Sequence, residues 1–153
     1  MLELHEEAWR EILAHARRTA PEEACGILVG LRTETGFAAL RAEPCRNIHP
    51  GDRTRRFLID PGRQLAVQRE ARQQGLAIVG FYHSHPGGRA EPSAEDRAQA
   101  HPWTPMLIVA LRGECAEARA WRCNPGGGCE ETPVRIGPVT GSGPGASSLT
   151  DGG

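Results

Sequence analysis

Apolar side chains recur along this chain at two periods, and the change from one to the other marks where helix gives way to strand. Leu4, Ala8, Ile12 and Leu13, with Trp9 beside them, keep helical spacing, which predicts a helix from His5 to about Arg18, closed by Pro21. Ala24 to Leu31 is a short apolar run rich in β-formers. A second strand from Phe37 to Arg41 follows across the Thr35-Gly36 turn, so the pair predicts a hairpin. Arg56 to Asp60 reads as a further strand stopped by Pro61-Gly62, after which Leu65, Ala66, Arg69 and Arg72 suit a helix ending near Gly75. A strand from Leu76 to about His83 comes next, then a helix opened by Ser93. Met106 to Leu111 is a buried strand, Arg112-Gly113-Glu114 is a tight turn into a strand from about Ala116 to Arg122, and Glu131 to Ile136 adds one more. Helices and strands mixed in this order predict an α/β sandwich with a mixed sheet.

Composition narrows the picture without changing it. The chain of 153 residues, 39% hydrophobic and 24% charged, suits one globular core, which we place in residues 1–136. From Gly137 to Gly153 almost nothing can be buried, and a flexible Gly/Ser/Pro-rich tail is expected. No run approaches the roughly 18 apolar residues of a membrane span, and the first residues are acidic where a signal peptide is basic. A cytoplasmic protein that does not engage a membrane is expected. A net charge of −1 likewise gives no long-range attraction to nucleic acid. The one short basic cluster, Arg53, Arg55 and Arg56, reads as a solvated strand edge or an anion contact. Five cysteines, an odd number with no C-x-x-C pair, point to reduced thiols; Cys123 and Cys129 flank a Gly-rich turn where they could approach each other.

The chemistry concentrates in Gly80 to Asp96, GFYHSHPGGRAEPSAED. Residues i and i+2 of a strand point to one face, so His83 and His85 can present imidazole nitrogens to one point in space. Pro86 and two glycines end the strand, and the chain can turn back to set Asp96, in the first turn of the next helix, beside them. Two histidines and a carboxylate suit Zn²⁺ with a fourth position open, the arrangement of catalytic sites. Such a site also needs a carboxylate outside the metal shell to carry a proton, and Glu22 and Glu23, just before the run ACGILVG, are the candidates.

These residues resemble the JAMM, or MPN-plus, zinc metalloproteases of the short prokaryotic type. That signature is an upstream Glu, then His-[Ser/Thr]-His-Pro, six residues, Ser, two residues and Asp, and His83-Ser84-His85-Pro86, Ser93 and Asp96 satisfy it at every fixed position. Pro21-Glu22-Glu23-Ala24-Cys25-Gly26 and Arg56 to Pro61 extend the likeness to about residues 5 to 136. The resemblance implies an αβα sandwich with a curved mixed sheet, similar to cytidine deaminases, and one zinc held by His83, His85 and Asp96. It implies Glu23 as general acid/base and Ser93 as the hydroxyl that helps hold the oxyanion. It implies cleavage after the C-terminal Gly-Gly of a small β-grasp ubiquitin-like or sulfur-carrier protein. The turn Arg112-Gly113-Glu114 leaves no room for the long insertion carried by ubiquitin-specific members.

Simpler roles stand beside these. Ser93-Ala94-Glu95-Asp96 also fits a helix capping box, a reading that competes with zinc for the same carboxylate. His49 could line a substrate groove or simply sit on the surface, while His5, His15 and His101 look incidental. Trp9, Trp103 and Trp121 suit core or partly buried packing. Two other functions fit the pattern: a zinc hydrolase of an unrelated peptide or amide, and a non-catalytic scaffold of the same fold, which the retention of His83, His85, Asp96, Ser93 and Glu23 disfavours.

Overall fold

In the computed structural model, which describes residues 1–138, eight strands form one sheet in the order β7-β6-β5-β4-β2-β3-β1-β8. The central hairpin is β2 (Cys25–Thr33) and β3 (Gly36–Cys45), antiparallel as expected, with β2 running two residues further toward the turn and β3 longer at both ends. β4 (Ala77–His85) pairs antiparallel with β2 and parallel with β5 (Met106–Arg112), which turns into the antiparallel β6 (Cys115–Cys123). On the other flank β1 (Leu2–His5) lies parallel to both β3 and β8 (Val134–Gly137). Opposite Val29/Gly30 and Leu28/Val29 of β2 the register shifts by one extra residue in each neighbour, Leu40 in β3 and Val79 in β4, and bulges of this kind bend a sheet. The curvature brings β8 back toward β6.

Alternation along the strands sends one set of side chains to each face. Leu28, Tyr82, Leu107 and Val109 join Leu2 and Leu4 under helix α1 (Glu6–Thr19), whose Ala8, Ile12 and Ala16 face them. Cys25, Ile27 and Val29 pack with Ile59 under helix α2 (Pro61–Gln73), through Val67 and Ala71. Met106, Ile108 and Ala110 continue that second face toward the short helix α3 (Ala94–Gln99). The result is the expected αβα layering with a curved mixed sheet. Gly26 has no room for a Cβ because the ring of Tyr82 lies against it, and the hydroxyl of that tyrosine shares a hydrogen bond of 2.8 Å with Nδ1 of buried His15.

Several expectations need correction. Leu4 belongs to β1, where it and Leu2 are fully buried, and only its chance spacing from Ala8 joined it to the helical stripe. His5 is the N-cap of α1, its Nδ1 accepting from Glu7 N, and is therefore not incidental. Residues 56–60 form no strand. Asn47 supplies most of their hydrogen bonds through its side chain, donating to Arg56 O and accepting from Leu58 N, and a single backbone bond runs from Ile48 N to Leu58 O. Pro61 and Gly62 open α2: proline fits the first helical turn, where no N–H is required, and the Asp60 side chain caps Gly62 N.

Pro133 divides the last predicted strand into β7 (Cys129–Thr132) and β8. Gly137, placed at the start of the tail, pairs with His5 in β8. The remainder of the expected tail, from 139 on, lies outside the described residues. Cys123 and Cys129, directly opposite across β6 and β7, form a disulfide with Cα atoms 4.0 Å apart, so these two are not reduced thiols. Cys25, Cys45 and Cys115 are free. Trp103 is 45% exposed and not a packing residue. The arginine cluster is no strand edge either, since Arg53 pairs with Glu22 and Arg56 with Glu95. Among the described residues no helix is long and apolar enough to cross a membrane.

Candidate metal centre

β4 runs two residues further than its apolar pattern suggested, so both histidines lie inside the strand. His83 sits opposite Cys25 of β2 and Ile108 of β5, in the middle of the sheet, and is 1% exposed. Phe57 stacks on its imidazole with ring centroids 4.5 Å apart, which fixes the plane of the ring. His85, two residues on, shares that face. Its Nδ1 lies 2.6 Å from Arg89 O, and because a carbonyl can only accept, Nδ1 carries the proton. In neutral His85 the lone pair is therefore on Nε2, the nitrogen turned toward His83 and Asp96.

Asp96 arrives from α3. Its Oδ2 lies 3.0 Å from His83 Nε2 and 3.1 Å from His85 Nε2, and the two nitrogens are 3.2 Å apart. Three atoms rich in lone pairs in so tight a triangle repel one another unless a cation sits among them. Tetrahedral zinc with ligands about 2.0–2.1 Å away separates its ligand atoms by roughly 3.3 Å, so the spacing and the donor set both fit that ion. Without it the cluster draws in protons. Burial pulls the His83 pKa down and would pull His85 down too, but the hydrogen bonds of His85 to Asp96 and Arg89 O raise it. Burial pushes the Asp96 carboxyl up, yet its contacts with both histidines hold it well below the usual range.

The capping box is present and does not compete with this role. Ser93 Oγ accepts from Asp96 N and Ser93 N donates to Asp96 Oδ2, each at 3.0 Å, so the box holds the same oxygen against both histidines. Ser93 is exposed at the N-terminus of α3, and its own hydroxyl proton is not committed in the box.

Glu22 and Glu23 separate cleanly. Glu22 lies on the surface in an ion pair of 3.3 Å with Arg53. Glu23 is buried, and one carboxylate oxygen comes within 4.8 Å of the ligating nitrogens of His83 and His85. Its Oε1 has no hydrogen-bond partner. Burial pushes the Glu23 carboxyl up to about 8. Two carboxylates thus approach the histidine pair: Asp96 at the spacing of a shared ion, and Glu23 with one oxygen within 4.8 Å of a nitrogen of each histidine.

Three residues given no part in the site by the sequence hold this arrangement. Buried Ser84, the residue between the histidines, points to the opposite face, where its Oγ accepts from Ala24 N at 2.8 Å while Ser84 N donates to Ala24 O at 3.0 Å. This double clip fastens the residue after Glu23 to the residue before His85. Asn47 donates to Glu23 O from the far side. Trp121 Nε1 donates to Ala90 O, anchoring the loop that supplies Arg89 O. Only the interposition of Ser84 in the His-x-His pattern offered a signal in the sequence. Ser84→Ala strips a buried N–H of its partner, so a loss of about 1–3 kcal/mol is expected, read as a lowered urea midpoint with unchanged slope.

A groove of about 240 Å³ opens beside the cluster, walled by Phe57, Leu58, Phe81, His83, Asp96 and His101. His101 stacks on Phe81 with centroids 4.5 Å apart and is a wall residue of this groove. His49 accepts from Gly51 N in its own loop.

The family described as prokaryotic homologs of the JAB domain matches residues 5–124. The chain is 37% identical to a desampylase of Haloferax volcanii over 78% of its length and 87% of that protein. It is 34% identical to a CysO-cysteine peptidase of Mycobacterium tuberculosis, over 82% and 84%. A probable TtuB-protein conjugate cleaving protease of Thermus thermophilus is 35% identical over 67% of this chain, which spans 66% of that protein. Among solved structures, a protein from Desulfitobacterium hafniense superposes with a TM-score of 0.80 at 32% identity, covering 89% of this chain and 92% of that one.

Proposed function

The chain belongs to the family of prokaryotic homologs of the JAB domain, and from that premise we propose that it is a zinc-dependent peptidase cleaving after the C-terminal Gly-Gly of a small ubiquitin-like or sulfur-carrier protein. The observation that carries the reading is the triangle of His83 Nε2, His85 Nε2 and Asp96 Oδ2, with sides of 3.0 to 3.2 Å, approached by a carboxylate oxygen of buried Glu23. His83, His85 and Asp96 hold the ion. When bound, it supplies Lewis acidity, which activates water near neutral pH and polarises the scissile carbonyl.

The side chains divide the remaining work. Glu23 takes the proton of the attacking water and returns it to the departing nitrogen. Its burial suits this, because a pKa of about 8, drawn down by a neighbouring cation, lies near neutrality. Ser93 turns its free hydroxyl proton to the oxygen of the tetrahedral intermediate. Arg89 O keeps the proton of His85 on Nδ1, so that Nε2 stays free to bind. Phe57 and Leu58 border the approach to His83, and a Gly-Gly segment, with no Cβ, brings its backbone closest to the cluster.

The names of the relatives support this substrate class, since they are a desampylase, a CysO-cysteine peptidase and a TtuB-conjugate protease. The test incubates the zinc-loaded protein with a β-grasp partner extended beyond Gly-Gly and follows intact mass. A single product ending at Gly-Gly is expected. An intact partner alongside efficient hydrolysis of an unrelated peptide transfers the site to another amide substrate.

A further inference from the structure

The loop from Pro86 to Pro92 serves both sides of the candidate centre: its Arg89 O holds His85, and α3, which brings Asp96, starts where the loop ends. Among the described residues, two hydrogen bonds tie this loop to the sheet beyond His85, and both come from β6. Trp121 Nε1 donates to Ala90 O at 2.9 Å, and Arg119 Nη1 donates to Glu91 Oε1 at 3.3 Å. Arg119 and Trp121 stand two residues apart on the strand and so share a face, and the register sets Arg119 in one row with Ile108 of β5 and His83 of β4. The guanidinium also lies over the Trp121 ring, 4.8 Å from its centroid, so one side chain braces both ties.

β7 in turn aims Arg119. Nε and Nη2 donate to the two carboxylate oxygens of Glu131 at 3.0 and 2.8 Å, a forked contact that fixes the plane of the guanidinium and leaves Nη1 for Glu91. β7 is four residues long, stands at one end of the sheet and pairs with β6 alone. A strand so short, joined through a turn with three successive glycines, has little hold of its own. The Cys123–Cys129 bond closes it at the pair next to that turn. Cys123 is buried and Cys129 half-buried, so Sγ of Cys129 is the sulfur that an incoming thiolate reaches first.

We propose that Arg119 is a positioning residue of the candidate metal centre, and that the Cys123–Cys129 disulfide makes its hold on the loop depend on redox state. The proposal rests on the zinc-dependent peptidase reading above and adds to it a regulation of the same site. In the reducing step the thiolate of a dithiol attacks Cys129 Sγ, the S–S bond breaks and Cys123 departs as a thiolate. The second thiol of the reductant then releases Cys129 and closes the reductant into a cyclic disulfide. Two electrons pass to the protein, and its two sulfurs take up the two protons that the dithiol gives up. β7 then frays, Glu131 no longer aims the guanidinium, and the loop that supports His85 and Asp96 loosens.

The test uses the full chain and two readouts that need no turnover. Zinc affinity is measured by competition with a chromophoric chelator. Exchange of the Trp121 indole N–H, assigned by its absence in Trp121→Phe, is followed by NMR in the metal-free protein. The disulfide-bonded wild type is compared with Arg119→Gln, Glu91→Gln and the pair Cys123→Ala/Cys129→Ala, which leaves no thiols there to bind zinc themselves. Each variant is expected to bind zinc about 10-fold more weakly, the usual worth of a group that orients a ligand. In Arg119→Gln and in the cysteine pair variant the indole is expected to exchange several-fold faster while the amide of Ile108, in the middle of the sheet, keeps its rate. Wild type reduced with dithiothreitol and desalted without oxygen is expected to match the cysteine variant in indole exchange. Combining Arg119→Gln with the cysteine pair is expected to add no further loss, because both cut one chain of contacts. Wild-type zinc affinity in Arg119→Gln, losses that add in the combined variant, or equal acceleration at Ile108 overturns the proposal, as do Cys123 and Cys129 found as thiols in air-oxidised protein. Failure of the zinc-loaded wild type to cleave a Gly-Gly-extended partner, with the zinc losses present, strikes the peptidase reading and leaves the role of Arg119 standing.

Discussion

Glu23→Gln keeps the zinc of the protein and loses about 10²- to 10⁴-fold in turnover, the usual contribution of a positioned proton carrier. The substitution is nearly isosteric, and it replaces a carboxyl that burial already pushes up to about 8 and that has one oxygen without a partner, so the fold has little reason to notice it. What disappears is the ability to accept a proton. Zinc measured by elemental analysis and turnover measured on the same preparation separate the two effects. If Glu23→Gln loses its metal, Glu23 is a ligand and the donor set must be redrawn. If it works at the wild-type rate while Glu22→Gln is inactive, the proton passes through Glu22 despite the surface ion pair of that residue with Arg53.

His85→Ala and Asp96→Ala each reduce bound zinc from about one per chain to a small fraction after dialysis, and activity falls with it, because two remaining side chains do not retain a catalytic ion. The Asp96 variant carries the sharper information. Both Asp96 and Glu23 approach the histidine pair, but Asp96 Oδ2 lies 3.0 and 3.1 Å from the two nitrogens. Loss of zinc in Asp96→Ala with retention in Glu23→Gln assigns the third position to Asp96; full occupancy in both His85→Ala and Asp96→Ala removes the centre from these residues. A thermal melt controls for folding, since Asp96→Ala also breaks the capping box of α3. Replacing a cap costs about 1 kcal/mol, too little to unfold the chain.

The candidate site was far more legible in the sequence than the frame around it. His83 and His85 stand two residues apart on a strand, and period two alone places them on one face. Asp96 and Ser93 stand at helix-start spacing, which predicted the capping box found at α3. The resemblance chose Glu23 over Glu22 by its place two residues before Cys25, and burial separates the two in the same way; what no local pattern carries is the clip of Ser84 on Ala24, which joins residues 60 apart in the chain. The frame failed where tertiary partners decide the outcome. β1 is four residues long, and its Leu4 stands one helical turn before Ala8, so its alternation is hidden. Residues 56–60 have strand-like composition, yet the side chain of Asn47 takes two of their backbone bonds, and only one backbone bond, from Ile48 N to Leu58 O, joins them to a neighbouring segment. The pairing of Cys123 with Cys129 needed the β6–β7 register, which spacing in the chain does not state.

The triangle of donors has one further property. Two of its corners ride on a single strand in the middle of the sheet, whereas the third belongs to a six-residue helix reached through a loop of Pro, Gly and Arg. A helix of that length has almost no stability of its own. Its hold on the sheet is the contact of Asp96 with the histidines, reinforced by Arg56 on Glu95 and by Trp121 on Ala90. An ion seated between the corners acts as a clasp between a rigid jaw and a loose one, and by linkage it favours the closed arrangement in proportion to its free concentration.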